Sequence, residues 1–224
     1  MINRIHARFR RPENGWDPVS PEHAATYGTA EWQAVNGALL DELEQVIGGF
    51  EGKRILDLGG GPGQYSIAFA KRGGDVTWHD ISQNYRSMAQ EKAKTHAVAD
   101  KIQFSLGYLD EAPTLLPKPY DLVFNRICWY YGFSDRSFAE VVYQMVRSGG
   151  YGYVDTNHSG FKRKQLSASS LFRTWLNDTL AIKIGHPFPP HGRLARLFLR
   201  YPVKRLVVDY RSPLNDRILF EKGT

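Results

Sequence analysis

A carboxylate just ahead of a glycine-rich turn is the strongest chemical signal in the chain. Asp57 lies in Ile55-Leu56-Asp57-Leu58, and Gly59-Gly60-Gly61-Pro62-Gly63 follows. Apolar residues around Asp57 read as a buried parallel strand, and the periodic run Tyr65, Ile67, Ala68, Phe69, Ala70 reads as a helix. Strand, tight turn and helix make a ligand cradle. Glycine permits positive φ and lets a ligand approach bare backbone, while the helix start offers unpaired N–H groups. The dinucleotide pattern needs glycine at its sixth position, and counting from Gly59 that place is Gln64. A diphosphate is therefore not the expected ligand.

A second carboxylate supports a different nucleoside. Asp75 to Asp80 reads as the next strand, and Asp80 closes it 17 residues past Gly63. In doubly wound folds an acid at that strand tip takes ribose hydroxyls, two acceptor oxygens matching two donors. Asp57 with glycines at 59, 61 and 63 resembles motif I of the class I S-adenosylmethionine (SAM) dependent methyltransferases, and Asp80 their motif II. Tyr120-Asp121-Leu122-Val123 resembles motif IV. Arg147-Ser148-Gly149-Gly150 resembles the turn before the family's fifth strand, with Ser148 in place of proline. Strand, turn and strand over 203–222 match the family's closing antiparallel hairpin.

This resemblance implies an α/β fold with a seven-stranded, mostly parallel doubly wound sheet. Its order is 3-2-1-4-5-7-6 with the last strand antiparallel, helices on both faces and an N-terminal helical cap. It implies one methyltransferase domain over 1–224: cap 1–50, SAM-binding core 51–160, and substrate-side helices with the hairpin over 161–224. The cofactor would be S-adenosyl-L-methionine. Asp57, Gly59, Gly60, Gly61 and Gly63 would take its methionine end, Asp80 the ribose and Ile81 the adenine face, with Asn125 at the end of the fourth strand. The family's acid after the third strand is missing, since Gly107 is followed by Tyr108. Either Tyr108 and the backbone at Leu109 read the adenine, or the loop shifts so that Asp110 does.

Methyl transfer is an in-line displacement, which needs alignment and water exclusion, and a base only when the nucleophile must lose a proton. His158, after the fifth strand, is the first candidate for that base, followed by His191 and His186, because imidazole titrates near neutrality. Each has a plainer alternative as a surface hydrogen-bonding residue. Tyr27, Trp129, Tyr130 and His186 are the candidates for contact with the acceptor. The aromatic-rich run 127–133 is either a substrate platform or cation–π wall, or a buried helix start. A metal-assisted catechol mechanism needs Asp after the fourth strand and Asp-Asn after the fifth. Asn125-Arg126 and Asp155-Thr156-Asn157 match it incompletely, so no metal is expected.

The elements that must position these groups follow from capping and periodicity. Thr29 reads as an N-cap with a helix over Ala30 to Ile47, ended by Gly48-Gly49. Ser82 and Ser134 cap helices 83–96 and 135–146, and further helices read over 167–181 and 193–200. Residues 1–28 read as irregular or loosely helical, with Ile2, Ile5 and Phe9 as one short amphipathic face. Residues 1–30 and the proline-rich 186–192 are expected to form a lid, and Thr156 to Gly160 to leave the fifth strand on the ligand edge.

Composition fits a globular enzyme: 224 residues, 42% apolar, 13% aromatic and 23% charged. One cysteine, Cys128, excludes a disulfide framework, and neither a membrane-length apolar run nor a signal sequence is visible, so a cytoplasmic protein is expected. The +6 charge divides into +4 over 1–12, −7 over 13–160 and +9 over 161–224. Basic ends favour a small, anionic acceptor, and with no aromatic-interleaved basic module nucleic acid is not the expected partner. RNA or protein methylation, and a SAM-binding partner subunit without transferase activity, remain as alternatives. The acceptor atom and the oligomeric state are left open.

Overall fold

The computed structural model describes residues 2–117, 119–158 and 167–224. The N-terminal helices are α1 (Ile2–Phe9), α2 (Pro21–Gln33) and α3 (Gly37–Ile47). The alternating core runs β1 (Arg54–Leu58), α4 (Gln64–Lys71), β2 (Asp75–Asp80), α5 (Gln83–Thr95), β3 (Ile102–Leu106), α6 (Ala112–Leu115), β4 (Tyr120–Arg126), α7 (Asp135–Met145) and β5 (Val146–Asn157). Then come α8 (Ala168–Leu180), α9 (Arg193–Phe198), β6 (Val203–Asp209) and β7 (Asn215–Lys222). The sheet order is β3-β2-β1-β4-β5-β7-β6, with β7 antiparallel to both neighbours. This is the expected architecture. All parallel strands therefore end on one edge, where open α/β sheets bind ligands.

Helix starts follow the capping chemistry. Ser82, Ser134 and Ser167 each accept a backbone N–H three residues on. The leading helix differs from expectation. It breaks at Ala34 to Asn36, and Asn36 takes the Leu39 N–H and starts α3, so Thr29 sits inside α2 with its hydroxyl on the Ala25 carbonyl. The Asn36 side chain outcompetes continuation of the helix. Ile5 and Phe9 of α1 face solvent, while Ala7 is buried. Ile2 and the Ser159-Gly160 end of the expected loop fall outside what is described for side chains and backbone, respectively.

Two apolar cores flank the sheet, one joining α3, α4 and α5 through Phe50, Phe69 and Trp78, the other joining α7 and α9 through Phe138, Phe198 and Phe220. The C-terminal third is pinned by buried polar contacts. Asp135, at the start of α7, accepts from Asn177 Nδ2 at 2.8 Å and Trp129 Nε1 at 3.2 Å, and pairs with the fully buried Lys183 at 3.3 Å. Such a cluster holds because the buried carboxylate meets several donors.

Candidate active site

One cleft of about 660 Å³ opens over the carboxyl edge of β1, β2 and β4. Its floor comes from β1 and the turn after it. Gly59 has φ +85°, and an added Cβ would sit 2.2 Å from Cys128 Sγ, so only glycine lets the turn pass the end of β4. The turn is tied to β2, since the Gly59 N–H donates to the His79 carbonyl at 2.7 Å and Trp78 Nε1 donates to the Gly61 carbonyl at 3.0 Å. Gly63 does not line the cleft. It starts α4 where a side chain would meet Ala89 of α5.

The two carboxylates differ in their partners. Asp80 lines the cleft and accepts the Gly61 N–H and the Ser82 N–H, each at 3.0 Å. Each of its oxygens keeps a lone pair for a further donor. Asp57 is 3% exposed and accepts the Ser66 hydroxyl at 2.6 Å. Burial pushes its carboxyl up to about 7, the Ser66 hydrogen bond opposing and the Asp80 charge reinforcing that rise. A buried carboxylate with this deficit of positive charge fits the cationic ammonium end of SAM. The glycine cradle and the double acceptor at Asp80 fit its backbone and ribose. The residues present fit the group.

At the other end Ile81, Tyr108 and Leu109 line the cleft, and Asp110 does not. Asp110 is spent on the Phe133 N–H at 2.7 Å and the Ser137 hydroxyl at 2.9 Å. Of the two adenine-reading options, only the Tyr108–Leu109 side borders the ligand space. Tyr108 stacks with Trp16 at 6.3 Å between ring centroids, and its hydroxyl donates to the Arg10 carbonyl at 2.7 Å. The N-terminal segment is thereby folded across this end. Arg11 pairs with Glu111, Asp17 accepts the Asn84 N–H at 2.9 Å, and Gln83 donates to the Pro12 carbonyl at 2.6 Å.

Tyr27, Tyr130 and His186, the sequence candidates for contact with the acceptor, line the cleft with Tyr85 and Tyr131. Burial raises the phenol pKa of all four tyrosines, so they are neutral hydroxyls at physiological pH. His186 Nδ1 lies 3.2 Å from the Tyr130 carbonyl. A carbonyl only accepts, so Nδ1 carries the proton and Nε2 is unprotonated in the neutral ring. Burial, the largest influence, lowers the pKa of His186 and favours that neutral form.

With Gly63, four sequence assignments need correction. Asn125 is fully buried off the cleft, donating 2.7 Å across to the Leu58 carbonyl, so it joins β4 to β1 instead of meeting cofactor. Trp129 is also fully buried, because its indole N–H serves Asp135 and its ring packs on Phe138 and Phe198. His158 and His191 lie off the cleft beside Asp216 at the β5–β7 edge. The reason is topological: β7 inserts next to β5, and His158, directly after β5, donates its N–H to the Leu214 carbonyl of the hairpin.

Sequence reasoning passed over Glu31 and Gln64, both of which line the cleft, and gave Arg126 no role beyond its place at a strand end. Glu31 binds Gln64 Nε2 at 3.1 Å and Arg126 at 3.3 Å, so α2, α4 and β4 meet in one polar contact. The position of Arg126 at a strand end was a readable signal; Glu31 carried none. Ile127 has φ +57°, a strained conformation for a β-branched residue, at the point where β4 gives way to the acceptor wall.

A doubly wound domain with a glycine cradle and two strand-end acids on its ligand edge is a nucleoside-binding enzyme core. Residues 55–150 match the family model for the methyltransferase domain, and over that stretch the chain is similar to the class I SAM-dependent methyltransferases. That family uses S-adenosylmethionine as methyl donor. The chain is 30% identical over 126 residues to the tRNA 5-carboxymethoxyuridine methyltransferase of Escherichia coli K12, covering 55% of this chain and 48% of that one. It is 26% identical over 144 residues to a ubiquinone biosynthesis O-methyltransferase of Bordetella avium, covering 63% and 55%. The chain thus spans about half the length of these curated relatives. Among solved structures, a candidate SAM-dependent methyltransferase from Methanococcus maripaludis superposes with a TM-score of 0.66 at 16% identity, covering 92% of this chain and 94% of that one. An O-methyltransferase family protein from Burkholderia thailandensis gives 0.60 at 18% identity, covering 90% and 60%. No helix among the described residues is long and apolar enough to cross a membrane.

Proposed function

We propose that this protein transfers a methyl group from SAM to a small anionic acceptor bound between Tyr27, Tyr130 and His186. The observation that carries this reading is the continuity of one cleft from Asp57 and Asp80 to those three residues. Its volume, about 660 Å³, falls within the range of about 300–1,000 Å³ typical of small-ligand sites. SAM supplies an electrophilic methyl on a sulfonium. Asp57 holds the ammonium, Gly59 to Gly61 admit the backbone of the cofactor, Asp80 takes the ribose hydroxyls, and Tyr108 and Leu109 flank the adenine. The four neutral tyrosines exclude water and position the acceptor through their hydroxyls. His186 Nε2 accepts the proton where the nucleophile is a hydroxyl or protonated amine. On the acceptor side Arg126 offers a guanidinium to an anion, shared with Glu31. In this reading residues 1–50 act as the cap and 161–224 complete the acceptor side of a single domain.

Methyl-labelled SAM, offered with carboxylated and phosphorylated small molecules, tests the reading. Expected is labelled product with stoichiometric S-adenosylhomocysteine; none across both acceptor classes overturns it. An RNA acceptor has one observation in its favour. A second groove, lined by Arg4, Arg8, Arg136 and Arg200, meets the cleft at Phe133. Label appearing in RNA, with steeply salt-dependent binding, would replace the small-molecule reading.

A further inference from the structure

His158, His191 and Asp216 converge at the β5–β7 edge. Each offers one ligand atom, and the three atoms lie within 4.8 Å of one another. We propose that these residues form a binding site for a divalent transition-metal ion, zinc by preference, separate from the methyl-transfer cleft.

Each ligand is delivered by a fixed piece of backbone. Asp216 is fully buried on β7, opposite Thr156 of β5. The Gly192 N–H donates to Asp216 Oδ2 at 2.7 Å, which turns Oδ1 toward the histidines. His191 Nδ1 lies 2.6 Å from that oxygen. His158 follows β5 directly, its N–H holds the Leu214 carbonyl at 3.0 Å, and its ring centroid is 4.7 Å from that of His191. The edge of Tyr210 or His191 meets the other ring at 4.6 Å between centroids, which limits rotation of the imidazole.

The donor set chooses the ion. Two imidazoles and a carboxylate suit zinc and its first-row neighbours, whereas magnesium and calcium require oxygen ligands. Binding would replace the 2.6 Å His191–Asp216 hydrogen bond, as the three atoms, which lie within 4.8 Å of one another, take up metal–ligand bonds of about 2.0–2.2 Å. The Asp216 carboxylate supplies the negative charge, and the Gly192 contact is the outer-shell bond that metal-binding carboxylates usually have. His191 has a side chain 52% exposed, so the ion has an entry path and room for water as a further ligand. Three protein ligands with an open position are the zinc arrangement that keeps water coordinated. His191 lies on the segment that also carries His186, so the ion ties the acceptor wall to β5 and β7. The sequence hid the group, because its members lie on three separated stretches and none has metal-ligand spacing.

Tag-free full-length protein, stripped with a chelator, is titrated with zinc against a chromogenic competitor. One zinc per chain is expected, with no competition from magnesium. His191→Ala removes a half-exposed side chain and should keep the fold, checked by circular dichroism of the metal-free protein. It should weaken zinc binding by about tenfold or more. Zinc should raise the melting temperature of the parent and not of His191→Ala. Substoichiometric uptake by the parent, or equal uptake by both proteins, overturns the site. Metal content is read without SAM or acceptor, so the outcome is independent of the methyl-transfer reading.

Discussion

The two walls of the cleft are built differently. The wall proposed to hold the cofactor comes from the ends of β1 and β2: Asp57, Gly59 to Gly61, and Asp80 with Ile81. Each lies in, or within three residues of, a strand whose hydrogen bonds fix its place, as in the parallel pairing of β1 with β2 over Arg54 to Leu58. The wall proposed to meet the acceptor gathers Tyr27 from α2, Arg126 at the end of β4 with Ile127, Cys128, Tyr130 and Tyr131 after it, and His186 from a segment without regular structure. It is held by side-chain contacts, such as Glu31 with Arg126 and Tyr130 with Phe188. A cofactor common to a family can be met by strand ends, whereas an acceptor particular to one protein is met by loops free to vary.

This difference is broken most sharply by a pair of variants. His186→Gln should lower kcat by about 100-fold or more, as for loss of a general base, with SAM affinity unchanged. Asp80→Ala should weaken SAM binding by about 100-fold, because hydrogen bonds to a charged group contribute about 1.5–3 kcal/mol each. Calorimetry for SAM and steady-state kinetics for turnover separate the two effects. If His186→Gln weakens SAM binding as much as Asp80→Ala does, the walls do not act separately. If it leaves both quantities unchanged, His186 is no base.

The same contrast governs what the sequence reveals. Strand ends, serine caps and the glycine turn are local devices, so β1, β2, Ser82 and Ser134 stand almost where periodicity and capping put them. Asp57 and Asp80 were legible as strand-end residues facing the cleft for that reason. Trp129 was not, because an aromatic after a strand reads alike whether it faces a ligand or, as here, a buried carboxylate at Asp135. Asn125 misled for a related reason: its side chain crosses to the Leu58 carbonyl, a partner 67 residues away. His158 and His191 were readable as chemistry but not as a pair with Asp216, since only the hairpin brings them together. The Asn36 break needed the competition between a side-chain cap and helix propagation, which residue periodicity does not weigh.

Within the cofactor wall, neighbouring glycines should behave unequally. Gly59→Ala carries both a positive φ and a Cβ 2.2 Å from Cys128 Sγ. Gly61→Ala has φ +49° and nothing within 4 Å of the added atom. Left-handed backbone alone costs about 1–2 kcal/mol, and overpacking adds about 1–3 kcal/mol. Denaturant melts should show Gly59→Ala less stable than Gly61→Ala by about the second amount. Equal losses would mean that the turn and Cys128 move apart freely, and that the cofactor wall is as adaptable as the acceptor wall.

The smallest effect concerns protons. In the unliganded protein Asp57 titrates at about 7, raised by burial from 3.8. The unfolded chain binds fewer protons than the folded one between those two values, so Asp57 lowers stability as pH rises through that window. A cationic ammonium beside the carboxylate restores the ionised form, so SAM binding must release the proton below pH 7. Affinity for SAM should therefore fall as pH drops beneath about 7, approaching tenfold per unit, and level off above it. Burial raises the carboxyl of Asp80 too, and protonation there weakens binding in the same direction. Asp57→Asn should bind SAM more weakly at pH 8, lose most of that slope, and melt higher than the parent when unliganded at pH 8. Calorimetry in two buffers of different ionisation enthalpy counts the released proton directly. An unchanged slope in Asp57→Asn would move the ammonium contact away from Asp57, leaving the acceptor wall, through Glu31, as the side that receives it.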